Sequence, residues 1–341
     1  MEQRRAESPI PADGAAASKL EELELPTLDL EEESGLTEAL AAACRDLGVF
    51  RLANHGIPAD LSDRLFSLTR HLLEEPDAEK KAKLPGYFSG TPALSLRVKE
   101  LNWVEGFHVA PAAADADPDP TAADDDIGGE FGSFREVTAE YVSRMARIAR
   151  KLFDAMDLGL DASQRASYLA EHDGTFRAYR YPACPAGGHI GMEAHTDSSV
   201  LSILNQQDLQ ESSLQVLLRP QGTWRSVQPV EGTLVVNIGD MMQAITGDAY
   251  RSVEHRVVPL PDTDRMSLCY FAFPQDDAVI SGCGEDDGEK GSCYRPFSYR
   301  EFREQVQADI KATGAKVGLA RFRRGASAPE LASAIGTEAG L

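Results

Sequence analysis

The sequence has little of several features that define other classes of protein. Its five cysteines are odd in number and lack the Cys-x-x-Cys spacing of zinc sites, so we expect reduced thiols and a cytoplasmic protein. No apolar run reaches the ~18 residues of a membrane helix, and the N-terminal residues lack the apolar stretch of a signal peptide. Basic residues are scarce as well, with 34 Lys and Arg against 55 Asp and Glu and a net charge of −21. This charge argues against nucleic-acid binding, because phosphate contacts need a basic surface.

The remaining composition is that of a globular enzyme, because 42% hydrophobic and 26% charged residues in a chain of 341 can build a large core. We predict a disordered segment at residues 1–20, a helical or mixed region at 21–160, a β-rich domain with a closing helix at 161–322 and a loose tail at 323–341. An acidic stretch rich in Ala, Pro and Asp predicts a surface loop at 110–129.

Hydrophobic periodicity predicts four helices, at residues 34–47, 58–73, 134–158 and 297–313. Ser34 is a candidate N-cap for the first of them, because a serine side chain can accept from the free amides of a helix N-terminus. Between residues 175 and 273 short apolar strands alternate with turns. This pattern predicts a mainly β fold with flanking helices and a double-stranded β-helix, or jelly-roll, core.

Two histidines and one aspartate in the strand-rich part have the composition of a metal site. His195 and Asp197 are two residues apart, so on a strand they share one face. His255 lies between two valines on the apolar face of another predicted strand. Two imidazoles and one carboxylate form the ligand set of a non-haem Fe(II) site, which keeps further positions on the metal open. We therefore predict that these three residues bind iron.

An arginine and a serine follow at strand spacing. Arg265 and Ser267 share a face of a predicted strand at 265–273. A guanidinium binds a carboxylate through two parallel hydrogen bonds, and a hydroxyl can add a third. This pair predicts a site for a small dicarboxylate co-substrate next to the metal.

With these motifs the chain resembles the plant-type 2-oxoglutarate- and Fe(II)-dependent dioxygenases, over about residues 23 to 322. Four further stretches support the resemblance, at residues 25–30, 48–58, 181–185 and 235–240. Within this family the chain is most similar to gibberellin 2-oxidases, especially the class that acts on C20 gibberellins. That similarity lies in residues 101–109, 250–257 and 294–319. The chain departs from the family at Tyr179, where Asn is usual, and at Ser212 and Ser213, where a Gly-Gly pair is usual.

The resemblance implies a cofactor set and a reaction. Fe(II) is expected on the two histidines and the aspartate, with 2-oxoglutarate and O2 as co-substrates and ascorbate as a reductant. The far carboxylate of 2-oxoglutarate is expected on Arg265 and Ser267, and Tyr181 is expected to contact the same co-substrate. The expected products are succinate, CO2 and a hydroxylated small apolar molecule. The similarity to gibberellin 2-oxidases implies gibberellin 2-beta-hydroxylation, which inactivates the hormone. No obligate protein partner is implied.

A bulky apolar substrate requires an aromatic pocket, although each aromatic side chain could equally belong to the core. The candidates are Trp103, Phe107, Tyr87 and Phe88. Because a gibberellin also carries a carboxylate, a cation is needed, and Arg97 or Lys99 could supply it unless both are surface residues.

Other classes of function remain open from the sequence. A zinc hydrolase or an isomerase on a jelly roll could use two histidines and an aspartate, but it would not need Arg265 and Ser267. A non-catalytic binding protein would have no reason to combine all three ligands with Arg265. Within the superfamily, the alternatives are an oxidase without 2-oxoglutarate and dioxygenases that act on flavonoids, auxin or alkaloids.

Overall fold

The computed structural model describes residues 20–32, 34–84, 86–90, 102–109, 130–169, 174–207, 212–281 and 293–325. Residues 1–19 of the predicted disordered segment, the predicted loop at 110–129, Arg97 and Lys99 lie outside these ranges. Within them, no helix combines the length and the apolar composition of a membrane span.

The described ranges contain α-helices at each of the four predicted places. The helices are α1 (Leu36–Asp46), α2 (Ala59–Glu74), α3 (Asp77–Lys83), α4 (Glu130–Ala155), α5 (Ala162–Tyr168), α6 (Asp240–Ile245) and α7 (Tyr299–Thr313). The predicted cap of α1 is wrong: Gly35 occupies the N-cap position with a left-handed φ of 81°, and no side chain caps the helix. In α7, by contrast, the Ser298 hydroxyl accepts from the Glu301 amide. This cap places the start of α7 at residue 299, two residues after the predicted one.

The strands form one large sheet, one small sheet and a short pair. They are β1 (Thr27–Asp29), β2 (Val49–Ala53), β3 (Phe88–Ser89), β4 (Glu105–Val109), β5 (Thr175–Tyr181), β6 (Met192–His195), β7 (Leu201–Gln206), β8 (Leu214–Leu218), β9 (Thr223–Val227), β10 (Leu234–Ile238), β11 (His255–Val257), β12 (Arg265–Ala272), β13 (Val279–Ile280) and β14 (Phe297–Ser298). The large sheet has the order β1-β2-β10-β7-β12-β5-β4-β3 and the small sheet the order β6-β11-β8-β9, while β13 pairs with β14. This arrangement confirms the predicted mainly β, jelly-roll fold with flanking helices.

The domain boundary predicted near residue 160 stays a prediction. Strands from its N-terminal side nevertheless join the large sheet, because β2 pairs with β10 and β4 pairs with β5. The N-terminal region therefore extends the same sheet that carries β12.

The alternation of side chains along β12 separates two cores. Leu268 and Tyr270 belong to a core that includes the buried face of α4. Cys269 and Phe271 point to the opposite face and pack with valines of the small sheet. Because both faces are covered, every residue of β12 is buried. The space between the two sheets is where polar side chains of this strand can meet those of the small sheet.

A buried ion network ties α3 to two strands of the large sheet. Glu105 on β4 is buried and accepts from Lys80 Nζ at 2.7 Å and from Arg180 Nη1 at 2.9 Å. The Tyr87 hydroxyl donates to the same carboxylate at 2.9 Å. The network fixes β4 against β5, and β5 also lines the space between the sheets.

Glu105→Ala is expected to lower the free energy of unfolding by about 3 kcal/mol, because it leaves the Lys80 ammonium buried without its main partner. Denaturation in urea measures this loss. The control is Glu140→Ala, whose ion pair with Arg144 is exposed and should contribute less than about 1 kcal/mol. Equal losses in both variants would contradict a structural role for the buried network.

Candidate active site

The three predicted metal ligands meet at the edge of the small sheet. His195 ends β6 and His255 begins β11, and the two residues are direct partners across the strand pair. The sequence suggested that Asp197 shares a strand face with His195, but β6 ends at His195. The aspartate lies in the following turn. The candidate ligand atoms of the three residues nevertheless lie within 4.8 Å of one another. The turn, rather than the pleat of a strand, brings the carboxylate to the imidazoles.

Both imidazoles direct one nitrogen to the backbone and the other to the centre of the site. The Nδ1 atoms of His195 and His255 lie 2.7 Å from the Glu193 carbonyl oxygen and 3.2 Å from the Val253 carbonyl oxygen. With the proton on Nδ1, each Nε2 presents a free lone pair, which is the ligand form of a histidine. Burial, with a contribution from His255, lowers the pKa of His195 to about 4, so this ring is neutral at neutral pH. The donor set therefore fits a divalent metal.

The Asp197 carboxylate is held in its ionised form by several neighbours. Its Oδ2 accepts from Ser202 Oγ at 2.6 Å and from Asn237 Nδ2 at 2.8 Å. Burial raises the pKa of this carboxyl, but the two histidines and these hydrogen bonds outweigh it and lower the pKa to about 2. Ser202 is on β7 and Asn237 on β10, so the large sheet orients the carboxylate while the small sheet supplies both histidines.

The turn that carries Asp197 is also held from the C-terminal part of the chain. The Asp240 amide donates to the Asp197 carbonyl at 2.8 Å. Lys316, three residues after the end of α7, donates from Nζ to the Thr196 carbonyl at 2.8 Å and forms an ion pair with Asp240 at 2.7 Å. This lysine clamp, made of Lys316, Thr196 and Asp240, fixes the backbone between the first two ligands.

The three predicted co-substrate residues also lie together. Arg265 and Ser267 are both buried, and Arg265 Nη1 donates to Ser267 Oγ at 3.4 Å. A second guanidinium nitrogen donates to Gln206 Oε1 at 2.9 Å, and the guanidinium lies 5.1 Å from the ring centroid of Tyr181. In the described part of the chain no carboxylate forms an ion pair with Arg265. A buried cation with only neutral partners suits an anionic ligand.

The ligand triad and the co-substrate residues open onto one cavity of about 670 Å³, which lies in the usual range for small-molecule sites. Its aromatic wall in the described residues consists of Tyr179, Tyr181, Phe271, Phe273, Tyr299 and Phe302. These side chains come from β5, from β12, from the residue that directly follows β12, and from α7.

Two of the four predicted pocket aromatics have other surroundings. Phe107 is fully buried and lies edge-on to Phe134, with ring centroids 5.5 Å apart, so it is a core residue rather than a pocket residue. Trp103 is 39% exposed and stacks on His189 at 4.9 Å. The cavity wall of the described residues contains neither side chain.

The other two predicted pocket aromatics are also not among the described residues that line the cavity. Tyr87 donates its hydroxyl to Glu105 in the buried ion network. Phe88 contacts the ring of Tyr179, a wall residue, edge-on, with centroids 5.9 Å apart. The described cavity wall contains none of the four candidates, and their part in a substrate pocket stays a prediction.

Several site residues were missed in the sequence. They hydrogen-bond to predicted site residues or to the backbone beside them, or they line the cavity: Ser202, Asn237, Gln206, Lys316 and Arg177. Asn237 and Lys316 fall in stretches that carry the family resemblance, which was the available signal. Ser202, Gln206 and Arg177 lie at alternating positions of strands that line the cavity, so their roles depend on the packing of the sheets.

Comparisons with known proteins agree with this geometry. The family model of the 2OG-Fe(II) oxygenase superfamily matches residues 161–274, and the N-terminal model of non-haem dioxygenase in morphine synthesis matches residues 22–126. Gibberellin 2-beta-dioxygenase 8 of Arabidopsis thaliana is 34% identical over 332 residues, which cover 92% of this chain and 91% of that protein.

Solved structures of dioxygenases are also similar to this chain. The crystal structure of the dioxygenase for auxin oxidation in rice has a TM-score of 0.68 and 28% identity, and the match covers 88% of this chain and 100% of that one. The structure of JOX2 in complex with 2OG, Fe and JA has a TM-score of 0.70 and 25% identity, with 87% and 91% covered. The chain therefore belongs to the 2OG-Fe(II) oxygenase superfamily and is an oxidoreductase that uses iron and 2-oxoglutarate.

Proposed function

We propose that this dioxygenase hydroxylates gibberellins at C2 and prefers those of the C20 class. The observation that carries the proposal is the single cavity that joins the His-Asp-His triad, the buried Arg265 and an aromatic wall. A gibberellin is an apolar polycycle, and the aromatic wall next to the triad offers it an apolar surface. The similarity to a gibberellin 2-beta-dioxygenase over most of both chains supports the same substrate.

In this proposal His195, Asp197 and His255 hold Fe(II), because their free Nε2 atoms and ionised carboxylate form a suitable donor set. When bound, the iron with 2-oxoglutarate and O2 would supply the oxidation that converts a C–H bond to an alcohol, with one oxygen atom of O2 going to the alcohol, the other to succinate, and CO2 released. Ser202 and Asn237 keep the Asp197 carboxylate oriented through their hydrogen bonds to Oδ2.

Arg265, Ser267 and Tyr181 position the co-substrate. The guanidinium and the hydroxyl bind its far carboxylate, and the Tyr181 ring covers one side of the guanidinium and keeps water from it. Gln206 fixes the orientation of Arg265 by accepting from its Nη2. The aromatic wall then excludes water from the space next to the triad. This exclusion prevents side reactions with water.

A second candidate function is the oxidation of another small plant acid, such as auxin. The observation that favours it is the likeness to the rice dioxygenase for auxin oxidation, which extends over all of that chain. The two candidates share the metal and co-substrate residues and differ only in what the aromatic wall accepts.

A substrate screen tests the proposal. Purified protein with Fe(II), 2-oxoglutarate and ascorbate is incubated with C19 and C20 gibberellins, auxin, flavonoids and alkaloids, and products are identified by mass spectrometry. We expect one added oxygen atom at C2 of gibberellins, faster with C20 forms, and one succinate per product. The matched control is Asp197→Ala, which should give no product.

The proposal is contradicted if the enzyme consumes 2-oxoglutarate without substrate but hydroxylates no gibberellin. Product formation from auxin in the same screen would then favour the second candidate. Succinate release separates both from an oxidase that does not use 2-oxoglutarate.

A further inference from the structure

Lys316 is a cavity residue to which the proposed function gives no part. It follows the end of α7 by three residues, and its side chain is 19% exposed. The backbone on either side of it contains glycines in the left-handed conformation, with a φ of 77° at Gly314 and of 61° at Gly318. The lysine therefore leaves a defined stretch of backbone, and its side chain lies among the residues of the cavity wall.

The ligand turn, residues 196–200 after β6, is held almost entirely through its carbonyl groups. Three of these carbonyls accept from the backbone amides of residues 239–241 at the start of α6: those of Asp197, Ser199 and Val200. The Thr196 carbonyl, between the first two ligands, accepts instead from Lys316 Nζ at 2.8 Å. The same ammonium lies 3.4 Å from the Thr196 hydroxyl. A side chain from the C-terminal part of the chain thus completes the fixation of the ligand turn.

The ammonium of Lys316 also contacts the aromatic wall. Its Nζ lies 6.0 Å from the ring centroid of Phe302, at the outer limit of a cation–π contact. Phe302 is on α7, which lines the cavity with Val306 and Ile310 as well. One charged group therefore joins the helix that bounds the cavity to the turn that carries Asp197.

The ion pair with Asp240 is a weak reason for a lysine at this position. Asp240 is 3% exposed, so both charges lose much of their hydration when they pair. A buried ion pair of this kind is often no more stabilising than uncharged side chains of similar volume. The contacts of the ammonium with Thr196 and Phe302 give it a role that uncharged side chains would not supply.

We propose that Lys316 is a positioning residue for the iron site. By tying α7 to the ligand turn, it keeps His195 and Asp197 in the geometry that binds Fe(II), so that the consumption of 2-oxoglutarate stays coupled to hydroxylation. The inference requires the iron and co-substrate sites, but it does not require that the substrate is a gibberellin.

The expected effects follow from the place of the contact. Without the ammonium, the Thr196 carbonyl loses its donor, and the peptide between the first two ligands is free to rotate. The metal is then held less tightly, as happens when a group that orients a ligand is removed. A small misplacement near the reacting atoms also lowers the yield of product, so that 2-oxoglutarate is consumed without hydroxylation.

The test compares the double variant Lys316→Met with Asp240→Asn to the wild-type protein. The methionine removes the ammonium and keeps most of the stem, and the asparagine avoids leaving a buried, unpaired carboxylate. Anaerobic titration with Fe(II) is expected to give roughly 10–100-fold weaker binding in the double variant. The amount of succinate released per hydroxylated product should rise from about one to about three or more.

Two control variants separate positioning from stability. Asp240→Asn alone keeps the hydrogen bond between Lys316 and Thr196, so its Fe(II) affinity should stay within about threefold of the wild-type value. Lys311→Met removes an exposed lysine from the last turn of α7 and should change neither quantity. A protein that is only destabilised would lose succinate and product in proportion, because both come from the folded fraction. A changed ratio therefore reports positioning.

The inference is overturned if the folded double variant has the wild-type Fe(II) affinity and the wild-type ratio of succinate to product. It is also overturned if Asp240→Asn alone causes the whole loss, since the ion pair would then be responsible. If the double variant does not fold, Lys316→Arg replaces it. A guanidinium can donate to the same carbonyl but differs in shape, so a smaller loss of Fe(II) affinity is expected, and wild-type values of both quantities would refute the inference.

The Fe(II) titration needs no substrate, so its result is independent of the gibberellin proposal. If no gibberellin is hydroxylated, the ratio of succinate to product is measured with the substrate that the screen identifies. Weaker Fe(II) binding in the double variant would then uphold the role of Lys316 while the proposed gibberellin activity fails.

Discussion

His255→Ala is expected to abolish turnover and to weaken Fe(II) binding while the protein stays folded. The imidazole is one of three ligands whose donor atoms lie within 4.8 Å of one another, and the remaining two would leave the metal loosely held. Anaerobic titration with Fe(II) and succinate release measure the two effects. His195→Ala and Asp197→Ala should give the same result, and normal turnover in any of the three would remove that residue from the ligand set.

Two further variants show whether the loss is specific. Ser202→Ala removes a hydrogen bond to the Asp197 carboxylate but no ligand, so Fe(II) affinity should fall by roughly 10–100-fold rather than vanish. His71→Ala removes an exposed histidine of α2 and should leave Fe(II) affinity unchanged. A graded series of this kind would distinguish a metal site from a general loss of stability.

Arg265→Ala is expected to raise the apparent KM for 2-oxoglutarate strongly, because a desolvated carboxylate loses a partner worth roughly 2–5 kcal/mol. The guanidinium is buried and has Gln206 and Ser267 as neutral partners, so its charge is available to the co-substrate. Arg265→Lys should restore only part of the affinity, since a point charge cannot replace two parallel hydrogen bonds. The rate of succinate release, measured at increasing 2-oxoglutarate concentrations, gives the apparent KM for 2-oxoglutarate of each variant.

The control for Arg265 is Arg256→Ala. Arg256 lies on β11, donates to Gln215 and stacks over Trp224, so it lacks contact with the co-substrate residues. Its removal should leave the KM for 2-oxoglutarate unchanged. If both Arg265 variants also keep the wild-type KM, another residue holds the far carboxylate.

The local part of the site could be predicted from the sequence. Arg265 and Ser267 share a strand face because strand side chains repeat every two residues, and this spacing needs no knowledge of the fold. The apolar stripe of α4 was visible for a similar reason, since helical periodicity is a property of neighbouring residues. Where the pattern and the backbone agree, as in β12, the predicted element matched the structure to within one residue.

The part that depends on which elements meet could not be predicted. Ser202 and Asn237 reach Asp197 only because β7 and β10 are neighbours in the large sheet. The choice between Phe107 and Phe271 as pocket residues depends on which side of the sheet the helices cover. Likewise, the α1 cap failed because a left-handed glycine can begin a helix without any side-chain acceptor.

The lysine clamp has a consequence for the order of events during synthesis. The contact between Lys316 and Thr196 joins residues that are 120 positions apart, so the entropy of closing a long loop opposes it until other contacts have brought the chain together. A nascent chain that has emerged as far as His255 already carries all three metal ligands. The lysine clamp does not yet hold the backbone between His195 and Asp197, because Lys316 has not been synthesised. Iron acquired at that stage would sit in an open, poorly shielded site. The clamp therefore closes on the backbone between the first two ligands only after Lys316 has left the ribosome.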